Sequence, residues 1–314
     1  MKITLDISKL VEEGKLTREE ADKLTALAAH DTGSLGINIL IGFGVVAIAA
    51  GAVALVPTPL TAVSLGLALF AAGCAIVLNR VQQWILLGQI CLVIGALMFG
   101  GGVIAYGAGS LASMLIVTGA FAIAAIAARS SLLMALAVLA ASACLGARTG
   151  YDNAVYSLAI FEPTLTVVLF SALALIAYQA SQRLPADYER LAITAARTSL
   201  LLINFGFWIG SLWGDPLMLL RSMNAKDASL DKTVIPATVF SILWAVVLLG
   251  AGIWAVQVNR RWLVNLVALF GGIHFYTQWF ERLGPTPLSV LLGGVVMLAS
   301  AFALWMLNRR VLDA

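Results

Sequence analysis

Charged residues are scarce in this chain, and that scarcity excludes most soluble folds. Only 11% of the 314 residues are charged, whereas 61% are hydrophobic, and the mean hydropathy is +0.98. A soluble protein of this length could not bury so much apolar surface. The composition therefore predicts an integral membrane protein.

Residues that serve as catalytic groups and metal ligands are also few. The chain has two histidines and three cysteines. Cys74, Cys91 and Cys144 lie inside apolar runs at unrelated spacings, which is typical of buried hydrophobic side chains. We find no phosphate-binding loop, nucleophile elbow or paired-histidine zinc motif. The sequence predicts no metal and no cofactor. It favours a non-enzymatic protein, but whether the protein is an enzyme stays open.

Long apolar runs fill most of the chain after residue 34. A helix of about 20 apolar residues crosses the roughly 30 Å hydrocarbon core of a bilayer. The runs cover 35–56, 58–78, 84–105, 111–128, 131–147, 164–181, 196–214, 235–257, 262–280 and 286–307. They are continuously apolar rather than alternating, which indicates helices and not a barrel. We expect an all-α, polytopic transmembrane bundle of about ten spans, with the count left open around 111–163.

The basic residues predict an orientation. With the N-terminus in the cytoplasm, the outer segments carry only Arg148, Arg221, Lys226, Lys232 and Arg282, so fourteen of the 19 Lys and Arg lie inside. This bias follows the positive-inside rule. No cleavable signal peptide is evident, so the first span is expected to act as the insertion signal. We predict a bacterial inner (plasma) membrane protein with both termini cytoplasmic.

Residues 1–34 form a predicted cytoplasmic helical hairpin, and 35–314 form the transmembrane bundle. The first helix is expected from Asp6 to Glu13, and Gly14 ends it. Thr17 and Glu20 have the spacing of a capping box, which starts a second helix ending near His30. The hairpin is either a solvated cap on the first span or a docking site for a partner.

The seventh run contains two patterned faces. Glycines recur at every fourth position and predict a groove for close helix packing: Gly206, Gly210 and Gly214. A polar face beside them holds Asn204, Trp208, Ser211 and Asp215. These four residues either line a solute path or belong to a packed helix pair in which Asn204 hydrogen-bonds across the interface.

The ninth run holds the one histidine that lies well inside an apolar segment. His274, Gln278 and Glu281 are spaced i, i+4 and i+7, which places them on one arc of a helix. Such a strip could relay protons or bind a polar ligand from the outer side. The alternative is a neutral histidine satisfied by Gln278, a carbonyl or water.

Two stretches resemble a known family. The opening runs Leu10-Val11-Glu12-Glu13-Gly14-Lys15-Leu16-Thr17-Arg18-Glu19-Glu20-Ala21, and the closing stretch is Phe275-Tyr276-Thr277-Gln278-Trp279-Phe280-Glu281-Arg282-Leu283. Both are similar to bacterial predicted membrane proteins of the domain of unknown function 2157. Members often have Arg before Tyr-Phe-Glu, whereas this chain has Gln278 before Trp279-Phe280-Glu281. The resemblance implies a multi-span inner-membrane protein and no particular reaction.

Two functions remain open from the sequence. The first is a transporter- or channel-like protein for a small solute or lipid. The second is a non-catalytic membrane scaffold or assembly subunit that packs against partner membrane proteins. We expect membrane lipid as a partner, together with either another membrane protein or further copies of this chain. We expect no binding of nucleic acid.

Overall fold

The protein is built almost entirely of helices. The computed structural model describes residues 10–11, 14–79, 82–152, 155–217 and 233–312. The helices in this part are α1 (Arg18–Leu55), α2 (Pro59–Leu78), α3 (Ile85–Tyr106), α4 (Leu111–Ala128), α5 (Ser131–Cys144), α6 (Pro163–Ser181), α7 (Ala186–Trp213), α8 (Ala237–Gln257), α9 (Arg261–Leu283) and α10 (Pro287–Leu312). A single 3₁₀ turn, Gln82–Trp84, precedes α3. The all-α class predicted from the sequence is thus confirmed.

Polar and proline residues mark the helix starts, and glycines mark several ends. Thr58 and Ser110 accept hydrogen bonds from the first turns of α2 and α4 through their side chains. Proline occupies the first position of α2 and of α6, where its missing N–H costs nothing. Gly214 and Gly284 follow α7 and α9 with positive φ, a backbone conformation that glycine adopts without strain.

Six helices are long and apolar enough to cross a membrane, judged by length and composition within the described residues. They are α2, α3, α4, α6, α7 and α8. Several such helices in one chain are compatible with an integral membrane protein, as the composition predicted.

The other four predicted spans also fall on helices, but these helices do not meet the same measure. Within the residues whose side chains the structure describes, the apolar stretches of α1 and α10 are Ile39–Leu55 and Pro287–Ala299, each shorter than 18 residues. Helix α5 has 14 residues and would rise only about 21 Å, ending at Cys144 rather than at the predicted residue 147. Helix α9 has 23 residues but mixes polar with apolar side chains. The count of ten spans is therefore not confirmed.

The N-terminal hairpin is not confirmed either. Gly14 forms a turn with φ +68, and the Thr17–Glu20 capping box is present, with Thr17 N donating to Glu20 Oε2 at 3.0 Å. The helix that starts there continues past residue 34 to Leu55 without a break. No proline interrupts it, and its five glycines, each costing about 1 kcal/mol relative to alanine, do not break it. Most of the predicted first helix lies outside the described residues, and the boundary at residue 34 stays a prediction.

A two-stranded antiparallel sheet replaces the loop expected after the fifth run. Strand β1 (Ala147–Asp152) pairs with β2 (Val155–Ile160), from Ala147 opposite Ile160 to Asp152 opposite Val155. The sequence contains a pattern typical of a β-hairpin, because tyrosines and β-branched residues flank an Asp-Asn pair. The high overall hydropathy masked this local pattern.

The chain divides into two compact units, 1–140 and 141–314. In the first, α2 and α3 pack as an antiparallel pair with glycines every seventh residue at the contact. These are Gly66 and Gly73 on α2, and Gly88, Gly95 and Gly102 on α3. A methyl group added at Gly66 would lie 2.5 Å from Phe99 N, so the two backbones are in direct contact. A core of buried apolar residues joins this pair to α4 and α5 through Leu92, Val117, Phe121 and Leu133.

The second unit is built on α7. Helices α6 and α7 form a closely packed antiparallel hairpin, and α8 packs against both α7 and α9. Because α7 contacts α6, α8 and α9, much of its surface is buried, including Leu202, Ile203 and Phe207. Its neighbours thus enclose the polar residues that the sequence singled out on this helix.

Candidate functional site

The polar strip of α9 faces the other helices of the second unit. His274, Thr277 and Gln278 share one side of α9, and Thr277 accepts a hydrogen bond from Trp208 of α7. His274 lies against Trp244 of α8, with ring centroids 4.9 Å apart and ring planes 71° apart. Both His274 and Gln278 are partly buried, whereas Glu281 is exposed. The structure therefore places His274 against α8, partly buries Gln278 one turn further along α9, and leaves Glu281 exposed.

Two buried polar atoms of this strip have no partner in the described part of the chain. They are Nδ1 of His274 and Nε2 of Gln278, one helical turn apart. An unsatisfied buried polar group typically costs about 1–3 kcal/mol, so native proteins rarely keep two side by side. A small ligand with hydrogen-bonding groups, or water, would satisfy both.

Two tryptophans from other helices contact this strip of α9, Trp244 at His274 and Trp208 at Thr277. Trp244 is 0% exposed, and its Nε1 donates to Asn204 Oδ1 at 2.9 Å. Trp208 Nε1 donates to Thr277 Oγ1 at 3.0 Å. Each bond joins two different helices, α8 to α7 and α7 to α9. Both tryptophan rings are consequently held in orientation by hydrogen bonds as well as by packing.

Two phenylalanine rings pack next to Trp244, on the side of the site towards the α9 N-terminus. Phe270, one turn before His274, is 2% exposed. Its ring meets Phe205 edge to face at 5.7 Å and lies 6.5 Å from Trp244. The phenylalanine rings carry no hydrogen-bonding group and the Trp244 nitrogen is already bonded, so the atoms of this strip left without a partner in the described chain are those of His274 and Gln278.

Asn204 and Trp208 thus lie at this site, and both are hydrogen-bonded to other helices. Asn204 also donates from Nδ2 to Leu200 O at 2.8 Å. These bonds match the helix-packing interpretation of the polar face, in which Asn204 bonds across the interface. A role for the two residues in a solute path stays a prediction.

Ser211 and Asp215 are engaged elsewhere. Ser211 Oγ donates to Trp208 O at 2.8 Å, within its own helix. Asp215 is 0% exposed, and its carboxylate accepts from Thr164 N at 2.8 Å and from Leu217 N at 2.7 Å. Thr164 lies in the first turn of α6, a helix whose own N-cap residue, Glu162, makes no capping bond. Asp215 therefore caps α6 from 51 positions away in the chain.

The three glycines of α7 meet different neighbours. A methyl group at Gly206 would contact α6, at 3.1 Å from Val167 Cγ2. One at Gly210 would lie 2.5 Å from the Phe240 ring of α8. Gly214 follows the helix end with φ +73. Gly206 and Gly210 therefore lie at close contacts with α6 and α8, and a single groove along all three glycines stays a prediction.

Sequence reasoning missed two residues of this site. They are Trp244 of α8 and Phe270 of α9, neither of which a sequence pattern singled out. Neither has a local signal, because each contributes through contacts with helices distant in sequence. Within the described residues, no three His, Cys, Asp or Glu side chains lie together as metal ligands would. The groups available to bind a ligand at this site are the imidazole of His274 and the amide of Gln278.

Comparisons with protein-family models, with curated proteins and with solved structures gave no match to this chain. The resemblance to the family of domain of unknown function 2157 therefore stays a prediction based on the two quoted stretches.

Proposed function

We propose that the protein is a multi-pass inner-membrane protein of about ten spans, with cytoplasmic termini, that admits a small polar solute in a transporter- or channel-like manner. The solute would bind at His274 and Gln278, between α7, α8 and α9. The observation that supports this proposal is the pair of buried polar atoms, one on each residue, without a hydrogen-bond partner in the described chain.

The chemistry of the pair limits the kind of solute. An imidazole and a primary amide can each donate and accept hydrogen bonds, so they suit a neutral molecule with hydroxyl, amide or carbonyl groups. Trp208 and Trp244 beside them offer flat apolar surface, as in many small-molecule sites. The strip carries one carboxylate, the exposed Glu281, so coupling to cations through buried acids is not part of the proposal.

The test is a ligand screen with matched variants. Purified full-length protein is heated with a panel of sugars, polyols, amino acids and amides, and compounds that raise the unfolding temperature are then tested for uptake into proteoliposomes. A true ligand should lose its effect in His274→Phe and Gln278→Leu. It should keep its effect in Gln182→Leu, which changes an exposed glutamine at the end of α6. If no compound acts on the wild type, or all variants respond alike, the solute site is refuted.

The alternative, a non-catalytic scaffold or assembly subunit, has a specific observation in its favour. Asn204, Trp208 and Asp215 all use their polar groups to hold neighbouring helices together. A rigid bundle of this kind suits a protein that presents apolar helix faces to membrane partners. Native mass spectrometry of the protein extracted from its own membrane tests this alternative. A partner chain retained at a fixed stoichiometry, together with a negative ligand screen, would support the scaffold.

A further inference from the structure

At the opposite end of α9 from the proposed solute site, an arginine stacks on a tryptophan. The guanidinium of Arg197, on α7, lies 4.8 Å from the centre of the Trp262 ring, on α9. Arg260 and Arg261 immediately precede Trp262 in the chain. The contact thus brings three arginines from two helices to one end of the second unit. We propose that Arg197, Arg260, Arg261 and Trp262 form a binding site for the phosphate of an anionic phospholipid.

The three guanidinium groups are available for a ligand. Arg197, Arg260 and Arg261 are exposed, and in the described part of the chain their side chains make no hydrogen bond or ion pair. The first turn of α9 contains no acidic residue. On α7 the nearest carboxylate along the helix is Glu189, about 12 Å from Arg197 by helical rise. Within the described residues of α7 and the first turn of α9, no carboxylate thus lies close enough to neutralise these arginines.

The geometry of the stacked pair suits a phosphate. The Arg197 guanidinium lies over the Trp262 ring, a contact that restrains its position, while its N–H groups make no hydrogen bond in the described part of the chain. A planar, pre-oriented guanidinium binds phosphate oxygens through paired hydrogen bonds, which a lysine cannot reproduce. The N-terminus of α9, which no side chain caps, adds partial positive charge beside Arg261.

The depth of the site favours a lipid over a soluble anion. Arg197 and Arg261 each stand at the point where the apolar part of their helix begins, the level at which headgroup phosphates lie. Tryptophans prefer the same level of a membrane. The predicted orientation places this end on the cytoplasmic side, where the leaflet is rich in anionic lipid. A phospholipid could reach it from the bilayer while its chains stay among the apolar helix faces.

This site is distinct from the proposed solute site. Trp262 and His274 are 12 residues apart on one helix, which corresponds to about 18 Å. The two proposals can therefore fail separately, and His274→Phe should leave lipid binding unchanged.

The experiment measures lipid selectivity on the full-length protein. Delipidated protein in neutral detergent is titrated with phosphatidylglycerol or with phosphatidylcholine of the same chains, and bound lipid is counted by native mass spectrometry. The wild type should prefer phosphatidylglycerol. Arg197→Gln should weaken that preference about fivefold, and the double change at Arg260 and Arg261 to Gln should weaken it more. Arg197→Lys should also weaken it, because the charge is kept but the planar fork is lost.

The control is Arg282→Gln, which removes an exposed arginine from the other end of α9. It should retain the wild-type preference. Equal affinity for the two lipids, or equal losses in Arg197→Gln and Arg282→Gln, would overturn the site. Displacement of the bound lipid by millimolar inorganic phosphate would also overturn it, since the site would then recognise a free anion and not a lipid.

Discussion

Trp244 is the residue on which the second unit depends most. It is fully buried, hydrogen-bonded to Asn204 and in ring contact with Phe270 and His274. A tryptophan in an apolar run could equally face lipid, as Trp254 of the same helix does at 45% exposure. The hydropathy of the run is the same for both. Only the partner helices distinguish the two positions.

We expect Trp244→Phe to destabilise the protein by about 1–3 kcal/mol. The change leaves Asn204 Oδ1 buried without its donor and opens space beside His274. Trp254→Phe should cost less than about 1 kcal/mol, because that ring is largely exposed. Reversible unfolding in mixed detergent measures the free energy of unfolding of both variants. Equal losses of stability would contradict the burial and the hydrogen bond assigned to Trp244.

At the scale of the element, the α2–α3 pair shows how glycine sets helix separation. A methyl group at Gly95 would lie 2.5 Å from Phe70 N and 2.7 Å from Gly66 O. Backbone atoms cannot move aside as a flexible side chain can, so the helices would have to separate. Gly101, on the same helix α3, has nothing within 4 Å of that position.

Gly95→Ala should therefore destabilise the protein by about 2–3 kcal/mol, as overpacking does at close contacts. Gly101→Ala should be neutral or stabilising by up to about 1 kcal/mol, because alanine favours the helix. The same unfolding assay compares the two variants. If Gly95→Ala proves as stable as Gly101→Ala, the two backbones are not in direct contact.

The start of α1 should respond to acid. Thr17 donates hydrogen bonds to the Glu20 carboxylate from its backbone N–H and its hydroxyl, and these lower the pKa of Glu20 below its ordinary value of 4.5. A group whose pKa is lower in the folded state contributes stability above its ordinary pKa, and that contribution disappears as the pH falls through the lowered pKa. The first turn of α1 should thus fray only in acid.

Carbon-13 NMR of labelled glutamates tests this behaviour. The Glu20 carboxyl should titrate below 4.5, and amide exchange near residue 20 should accelerate over the same pH range. In Glu20→Gln the amide oxygen still accepts from Thr17, so the pH dependence should vanish while the helix start remains. A Glu20 titration at or above its ordinary pKa would contradict the capping box.

At the scale of the whole molecule, the orientation follows from charge. We expect Asn224→Cys, in the polar segment 215–234, to react from the periplasmic side in a background without native cysteines. Gln182→Cys should react only after the membrane is permeabilised. A membrane-impermeant maleimide applied to spheroplasts distinguishes the two. Labelling in the reverse order would invert the predicted topology and move the arginine site to the outer face.

The sequence predicted the elements better than their contacts. The ten apolar runs fall on helices because continuous apolarity in lipid leaves no other way to satisfy the backbone. The strands of 147–160 were missed, since a weak alternating pattern is hidden among strongly apolar neighbours. The candidate site was predicted in part: His274 and Gln278 were found by helical spacing, whereas Trp244 and Phe270 come from elsewhere in the chain.

The amino-acid sequence by itself predicted that the chain is helical and that it has apolar segments suited to a membrane, because hydropathy and helix spacing are local properties. It also placed the imidazole and the amide on one side of α9. Only the tertiary structure decided that His274 faces Trp244, that Asp215 caps α6, and that Arg197 lies over the Trp262 ring. Each of these contacts joins residues dozens of positions apart, and helix packing, not local pattern, selects such partners.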